Sequence, residues 1–260
     1  MTGRYPATGQ SAPATGQSAP EIVRAGATLR PVSLVPEIRL YQAAEPMSVW
    51  QLTEQATGRT QLDPPFWAFA WAGGQALARY LLDHPETVAA RQVIDIASGS
   101  GLVAIAAAMA GAAAVTAYDI DPLAATAITL NAQANGVAIR AVCADVLGDE
   151  PLDPPPAGTS LSDAAPPLDG TGLVADAPPL DGTGLVLIAD AFYERDLATQ
   201  ALRFAERARA RGSAVLLGDL GRAYLPRARL TRLASYDVPH LAALEDRDTK
   251  HTAVWALRPE

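Results

Sequence analysis

Cysteine and lysine are almost absent from this chain. Cys143 is the single cysteine, which excludes an internal disulfide, and the three histidines form no Cys/His run with metal-ligand spacing. No metal site is expected, and a reducing cytoplasm is the compartment that such cysteine usage suits. Lys250 is the only lysine among 20 Lys and Arg residues, a bias of coding with no evident physical purpose. Long hydrophobic runs are also missing. The stretch from Val103 to Val115 falls short of the roughly 18 residues that a spanning helix needs, and alanine dominates it. The first twenty residues carry prolines and polar side chains without a continuous apolar core, so they do not read as a secretory signal. A net charge of −8 and a pI near 4.9 argue against a nucleic-acid backbone or an anionic membrane as main partner. A substrate with a basic surface would suit the chain better, although net charge speaks first of solubility.

What is present is enough for one substantial core: 260 residues, 49% of them hydrophobic. Two segments stand outside it. Thr8 to Pro13 (Thr-Gly-Gln-Ser-Ala-Pro) recurs as Thr15 to Pro20, and residues of this kind cannot build a core, so 1–20 reads as a disordered tail. Pro166 to Val174 recurs as Pro178 to Val186 with a period of 12, too short and too few copies for a solenoid. With Pro151 to Pro156 it marks a low-complexity insertion at about 148–184, a surface excursion whose second copy alone continues into a strand. Residues 21–62 form a small N-terminal extension in which Ile38 and Leu40, then Met47 and Val49, alternate as strands do. The main domain is 63–260.

Within that domain β-branched runs alternate with longer helical ones. Val93–Ile96, Ala114–Asp119, Ile139–Ala144, Leu185–Ala189 and Ala214–Leu217 read as strands, and Leu77–Leu82, Leu102–Ala110, Leu123–Gln133 and Leu197–Arg209 as helices. Such alternation implies an α/β fold: a doubly wound, mostly parallel sheet that binds ligands at the carboxyl ends of its strands. Leu233–Val238 and Thr252–Leu257 complete a seven-stranded sheet as a final antiparallel pair.

The run Val93-Ile-Asp95-Ile-Ala-Ser-Gly99-Ser-Gly101-Leu reads as a buried strand, an acid at its end and a glycine turn opening a helix. Glycines allow positive φ and close approach of a ligand, and the helix beyond offers free amides. Asp119 ends the next strand, where a carboxylate accepts both hydroxyls of a ribose. Gly99-Ser-Gly101-Leu-Val-Ala104 also satisfies the dinucleotide pattern, so the glycines alone do not discriminate. Asp95 does: an anion there sits badly beside a pyrophosphate but well beside the amino group and sulfonium of S-adenosylmethionine. A Rossmann-like S-adenosylmethionine-dependent methyltransferase is the reading that follows, and a nicotinamide-dinucleotide enzyme is its rival.

Four further motifs occur in order: Asp63-Pro-Pro-Phe-Trp67-Ala-Phe-Ala-Trp71-Ala-Gly-Gly74, Tyr118-Asp-Ile-Asp-Pro122, Asp190-Ala-Phe-Tyr193-Glu and Gly218-Asp-Leu-Gly-Arg222. Over about residues 35 to 260, apart from the insertion, the chain resembles the lysine methyltransferases of the electron transfer flavoprotein β subunit. That resemblance implies an enzyme with a protein substrate, the electron transfer flavoprotein β subunit, and N-methylation of lysine; the expectations of a cytoplasmic location and of no nucleic-acid or membrane partner rest on the composition above. A small-amine, nicotinamide-like methyltransferase and a non-catalytic cofactor-binding module are the alternatives. It also implies roles: Gly99, Gly101 and Asp95 for the methionine part of the cofactor, Asp119 for the ribose and Asp145 for the adenine amino group. Asp145 equally reads as a surface carboxylate. Trp71 and Gly73 are expected to line the cofactor pocket, with Asp190 and Tyr193 as the catalytic pair at the acceptor. Trp67 and Phe66 read as core, Asp121 as a helix N-cap before Pro122, and His84, His240 and His251 as structural or exposed. Two positions depart from the pattern: Ala97 stands where a first glycine is usual, and Ala72 where proline is expected.

Overall fold

The structure is a computed structural model that describes residues 17–58, 62–148, 184–239 and 249–259. The expected tail through residue 16, most of the insertion and His240 lie outside the described residues. The chain starts with α1 (Ala19–Gly26), two short strands β1 (Thr28–Pro31) and β2 (Arg39–Gln42), and α2 (Pro46–Thr57). After a single 3-10 turn at Phe66–Ala68 come α3 (Ala72–Asp83), β3 (Gln92–Ile96), α4 (Leu102–Met109), β4 (Ala114–Asp119), α5 (Pro122–Ala134) and β5 (Arg140–Cys143). The second half holds β6 (Leu185–Ala189), α6 (Arg195–Ala210), β7 (Ala214–Asp219), β8 (Leu230–Pro239) and β9 (Thr249–Leu257).

The main sheet has the order β5-β4-β3-β6-β7-β9-β8. Strands β3 to β7 run parallel, and β9 lies antiparallel between β7 and β8. From β3 the chain winds outward through β4 and β5, then returns to β6 on the other side of β3. The strand order therefore reverses between β3 and β6, and open α/β sheets bind their ligands in the crevice at such a point. Buried alanines, leucines and valines of α3 and α4 cover one face, and Phe204, Ala201, Ala205 and Ala208 of α6 cover the other. Strands covered on both faces read as continuous apolar runs, which is why Leu185–Ala189 shows no alternation.

The last two strands each begin three residues before the expected Leu233 and Thr252, and three further differences from the sequence expectations have a local cause. The helix α1 begins inside the segment expected to be tail. Ser18 donates through N and Oγ to the Glu21 carboxylate at 2.7 and 2.8 Å, with Pro20 in the first turn, a start signal that the repeat composition hides. Met47 and Val49 lie in the helix α2, with Pro46 at its first position, so their apparent strand alternation is a coincidence of spacing. The helix α3 begins at Ala72, well before Leu77, because Gly73 and Gly74 are helical. Gly73 packs against the backbone of Gly218 on β7, where a Cβ on either residue would collide with the other's carbonyl oxygen.

The hairpin β1–β2 is a separate two-stranded sheet tied to α5 by asparagines. Tyr41 N donates to Asn131 Oδ1 at 2.8 Å, and Arg39 exchanges two backbone bonds with the Asn135 amide. Of the insertion, the described flanks are Gly148, whose carbonyl accepts from Arg207 near the end of α6, and Gly184, against Gln92 at the start of β3. Gly184, at the start of β6, lies at the end of the sheet away from the glycine turn.

Candidate active site

The carboxyl end of β3 turns sharply. Ala97, Gly99 and Gly101 all have positive φ, at +53°, +56° and +80°. Two of these suit glycine, while Ala97 adopts the left-handed region at a cost. A Cβ on Gly101 would meet Ile128 of α5 at 3.2 Å, whereas one on Gly99 would meet only the Phe66 carbonyl at 3.8 Å. Space therefore stays open above Gly99. Asn131, fully buried on α5, steadies the turn by donating to Ser100 O at 2.8 Å while it holds Tyr41 of the hairpin.

Carboxylates gather around this turn. Asp95 is 1% exposed and accepts from Ser98 Oγ at 2.5 Å; burial pushes its carboxyl up to about 7, partly offset by Ser98. Asp119 accepts from Gly99 N at 2.8 Å and from Asp121 N at 3.0 Å. Burial raises its pKa and those amides oppose the rise. A carboxylate has about four lone-pair positions, so acceptor capacity remains for a ligand's hydroxyls. Asp121 caps α5 as expected, accepting from Leu123 N at 2.8 Å, and burial and Asp119 push it up to about 7. Asp145, two residues past β5, is exposed and folds back to accept from Leu147 N at 3.1 Å. Ile120, directly after Asp119, is 52% exposed, which is unusual for a large apolar side chain in this position.

A second group sits across the switch point, after β6 and β7. Asp190 also has positive φ, +55°, and its backbone N donates to Gly218 O at 2.9 Å. Its Oδ2 accepts from Gly74 N at 2.8 Å, in the first turn of α3, where free amides and the helix dipole favour an anion. Its Oδ1 is buried with no hydrogen-bond partner among the described residues and lies 3.9 Å from the Arg222 guanidinium. Burial pushes this carboxyl up to about 7, with Arg222 and the Gly74 amide pulling it down and Asp219 pushing it up. Asp219, buried at the end of β7, accepts from Gly221 N at 2.6 Å and Arg222 N at 2.7 Å. Tyr193 is 41% exposed, stacks on Phe66 with ring centroids 5.7 Å apart, and has the Arg222 guanidinium 5.9 Å from its ring centre. Burial raises the Tyr193 pKa, so its hydroxyl stays protonated near neutrality. Phe66 in turn packs on Trp71 at 5.9 Å, and Trp71 Nε1 donates to Phe66 O at 2.9 Å. An aromatic ledge of Trp71, Phe66 and Tyr193 thus runs between the glycine turn and Asp190.

A family model for ribosomal protein L11 methyltransferase (PrmA) matches residues 75–153, which include both the glycine turn and Asp119. The rat electron transfer flavoprotein β-subunit lysine methyltransferase is 34% identical over 232 residues, covering 87% of this chain and 79% of the relative. Its mouse counterpart is 35% identical with the same coverage, and the zebrafish one 35% over 229 residues, 86% of this chain and 76% of the relative. The chain belongs to the electron transfer flavoprotein β-subunit lysine methyltransferase family. As a member it is an S-adenosylmethionine-dependent methyltransferase. The residues fit that donor: a cationic sulfonium and amino group suit an acid-lined turn, the open space above Gly99 admits a ligand, and exposed Ile120 offers an apolar face beside Asp119.

The structure brings some of the residues named from the sequence together and sets others apart. Gly99, Gly101, Asp95 and Asp119 converge on one turn, while Asp190 and Tyr193 share the facing end of β6 with Trp71 alongside. Gly73 was expected at the cofactor pocket; its close approach is to Gly218 and the Asp190 carboxylate, so backbone packing accounts for the glycine. Phe66 was expected in the core, but it is half-buried and bridges Trp71 and Tyr193, whereas Trp67 is core as expected. Arg222, Asp219 and Ile120 were given no role. Gly218-Asp219-Leu-Gly221 repeats the strand-acid-glycine pattern of β3, which was the available signal. His84 stacks on Tyr80 and lies 3.4 Å from Glu86, and exposed His251 pairs with Asp237. Among the described residues no acid, Cys and His cluster could hold a metal ion, and no helix is long and apolar enough to cross a membrane.

Proposed function

We propose that the chain methylates lysine on the electron transfer flavoprotein β subunit, with Asp190 and Tyr193 at the acceptor. The observation that carries this reading is Asp190 Oδ1, a buried oxygen without a hydrogen-bond partner among the described residues, beside an aromatic ledge. Buried acceptors are almost always satisfied, so an orphan at a crevice points to a ligand's donor. The relatives' names supply the acceptor, lysine in the flavoprotein β subunit.

Under this reading Gly99, Gly101 and Asp95 cradle the methionine part of the cofactor, Asp119 its ribose, and Asp145 its adenine amino group against Ile120. When bound, S-adenosylmethionine supplies an electrophilic methyl group on a sulfonium. The chain's own task is to deliver a neutral amine. A free lysine has a pKa near 10.4, and deprotonating it at neutral pH costs roughly 4–5 kcal/mol. The ledge of Phe66 and Tyr193 strips water from the ammonium and disfavours it, while Asp190 Oδ1 accepts its hydrogen bond and takes its proton directly or through water. The Tyr193 hydroxyl orients the nitrogen. Alignment rather than acid help supplies the acceleration.

Asp190→Asn and Tyr193→Phe should bind S-adenosylmethionine as the wild type does, by calorimetry, and lose methyl transfer to the flavoprotein subunit by about a hundredfold or more. Wild-type transfer rates in both variants would place the acceptor elsewhere.

A further inference from the structure

The acceptor reading leaves one charged side chain of the site without a task. We propose that Arg222 is the positioning residue of the acceptor site, holding Asp190 as an anion and the Tyr193 ring in place so that Oδ1 faces the incoming amine. The inference rests on the acceptor role of Asp190 and goes beyond it in saying what keeps that carboxylate competent.

The geometry makes Arg222 a counter-charge and not a hydrogen-bond donor to Asp190. At 3.9 Å its nitrogen is too far from Oδ1 to satisfy it, yet close enough to favour its ionised form. An arginine at bonding distance would use up the oxygen that the amine needs. The same guanidinium lies over the Tyr193 ring, so one group bears on both members of the pair. Its own position is set by β7: Asp219 Oδ1 takes the Gly221 and Arg222 amides and folds the loop back over the strand ends. Among the described residues, the groups that act on Asp190 come from several elements. They are the α3 amides of Gly73 and Gly74, Arg222, and the opposing charge of Asp219. Asp63, Asp119, Glu194 and Arg222 act on Tyr193. Burial and Asp219 favour protonated Asp190, and among the described residues Arg222 is the positive charge set against them. A fixed cation beside Oδ1 also disfavours a second cation there, so it selects the neutral form of the amine.

The test is the pH profile of kcat/KM for transfer to the flavoprotein subunit, with Arg222→Met, Arg222→Lys and Asp190→Asn beside the wild type. In the wild type the logarithmic slope changes by one where Asp190 titrates. Arg222→Met should move that break to higher pH. On the acid side of the break, transfer then falls about tenfold for each pH unit the break has moved, and it recovers at high pH. Arg222→Lys should keep the break at the wild-type position, and S-adenosylmethionine affinity should be unchanged in all three. A break that stays put in Arg222→Met, or moves as far in Arg222→Lys, overturns the inference. If Arg222→Met does not fold, Arg222→Gln takes its place in the same comparison, again with a break at higher pH expected and an unmoved break overturning the inference. Asp190→Asn separates the two levels. Wild-type transfer there removes the acceptor reading itself, whereas loss of transfer with an unmoved break in Arg222→Met removes only the role of Arg222.

Discussion

Ala97 carries the turn after β3 with a φ of +53°, in a place where glycine would be at ease. The left-handed region costs an L-residue about 1–2 kcal/mol, and glycine gives back about 0.4–1 kcal/mol in the entropy of the unfolded chain. The first exceeds the second, so Ala97→Gly should stabilise the protein by up to about 1 kcal/mol in urea unfolding. The side chain is exposed and loses no packing on removal. A destabilised glycine variant would mean that the turn is not strained. Gly73 shows the opposite case. Gly73→Ala forces a Cβ into the Gly218 carbonyl and the Asp190 carboxylate, so it should cost about 1–3 kcal/mol and more in activity than in cofactor affinity. Loss of cofactor affinity with unchanged stability would return Gly73 to the pocket.

At the scale of elements, α5 joins the N-terminal hairpin to the glycine turn through Asn131. Its Nδ2 serves Ser100 O and its Oδ1 serves Tyr41 N, with no exposure to water. Asn131→Ala leaves the buried Ser100 carbonyl unsatisfied, at about 1–3 kcal/mol, releases the half-buried Tyr41 amide and frees the turn. S-adenosylmethionine binding should weaken together with stability, and Asn131→Asp, which keeps the acceptor but loses the donor to Ser100, should weaken it too. Tight binding in both variants would show that the turn stands without α5. The same elements show what was legible in advance. Strands β3 to β7 are buried on both faces and bounded by turn residues, so runs such as Val93–Ile96 announce themselves, and Asp121-Pro122 marks a helix start with little ambiguity. The first turn of α3 is hidden because Gly-Gly opposes helix, and only tertiary contact with Gly218 and Asp190 makes it helical. Phe66 and Arg222 are hidden for a related reason: what they touch lies far along the chain, and no local period encodes it.

Across the whole molecule, burial raises the pKa of Asp95, Asp119, Asp121, Asp190 and Asp219 together. In the unfolded chain these groups ionise near 3.9, while Asp95, Asp121 and Asp190 do so at about 7 when folded. The native state therefore holds protons that the unfolded state has released. The stability tied to them is full at low pH and drains as pH rises from about 4 to about 7. The cofactor-free protein should lose thermal stability over that window, and a flat curve would show these carboxyls already ionised. A cation placed at the turn favours the ionised forms, so S-adenosylmethionine should bind with proton release and more tightly at about pH 8 than at about pH 6. Calorimetry in two buffers of different ionisation enthalpy reads that release directly. The central claim concerns the acceptor, and peptide mapping by mass spectrometry tests it best. The flavoprotein β subunit is incubated with S-adenosylmethionine and the enzyme, with nicotinamide present as a competing small amine. The account predicts methyl groups on lysine of the subunit and none on nicotinamide; an unmodified subunit beside methylated nicotinamide would contradict it.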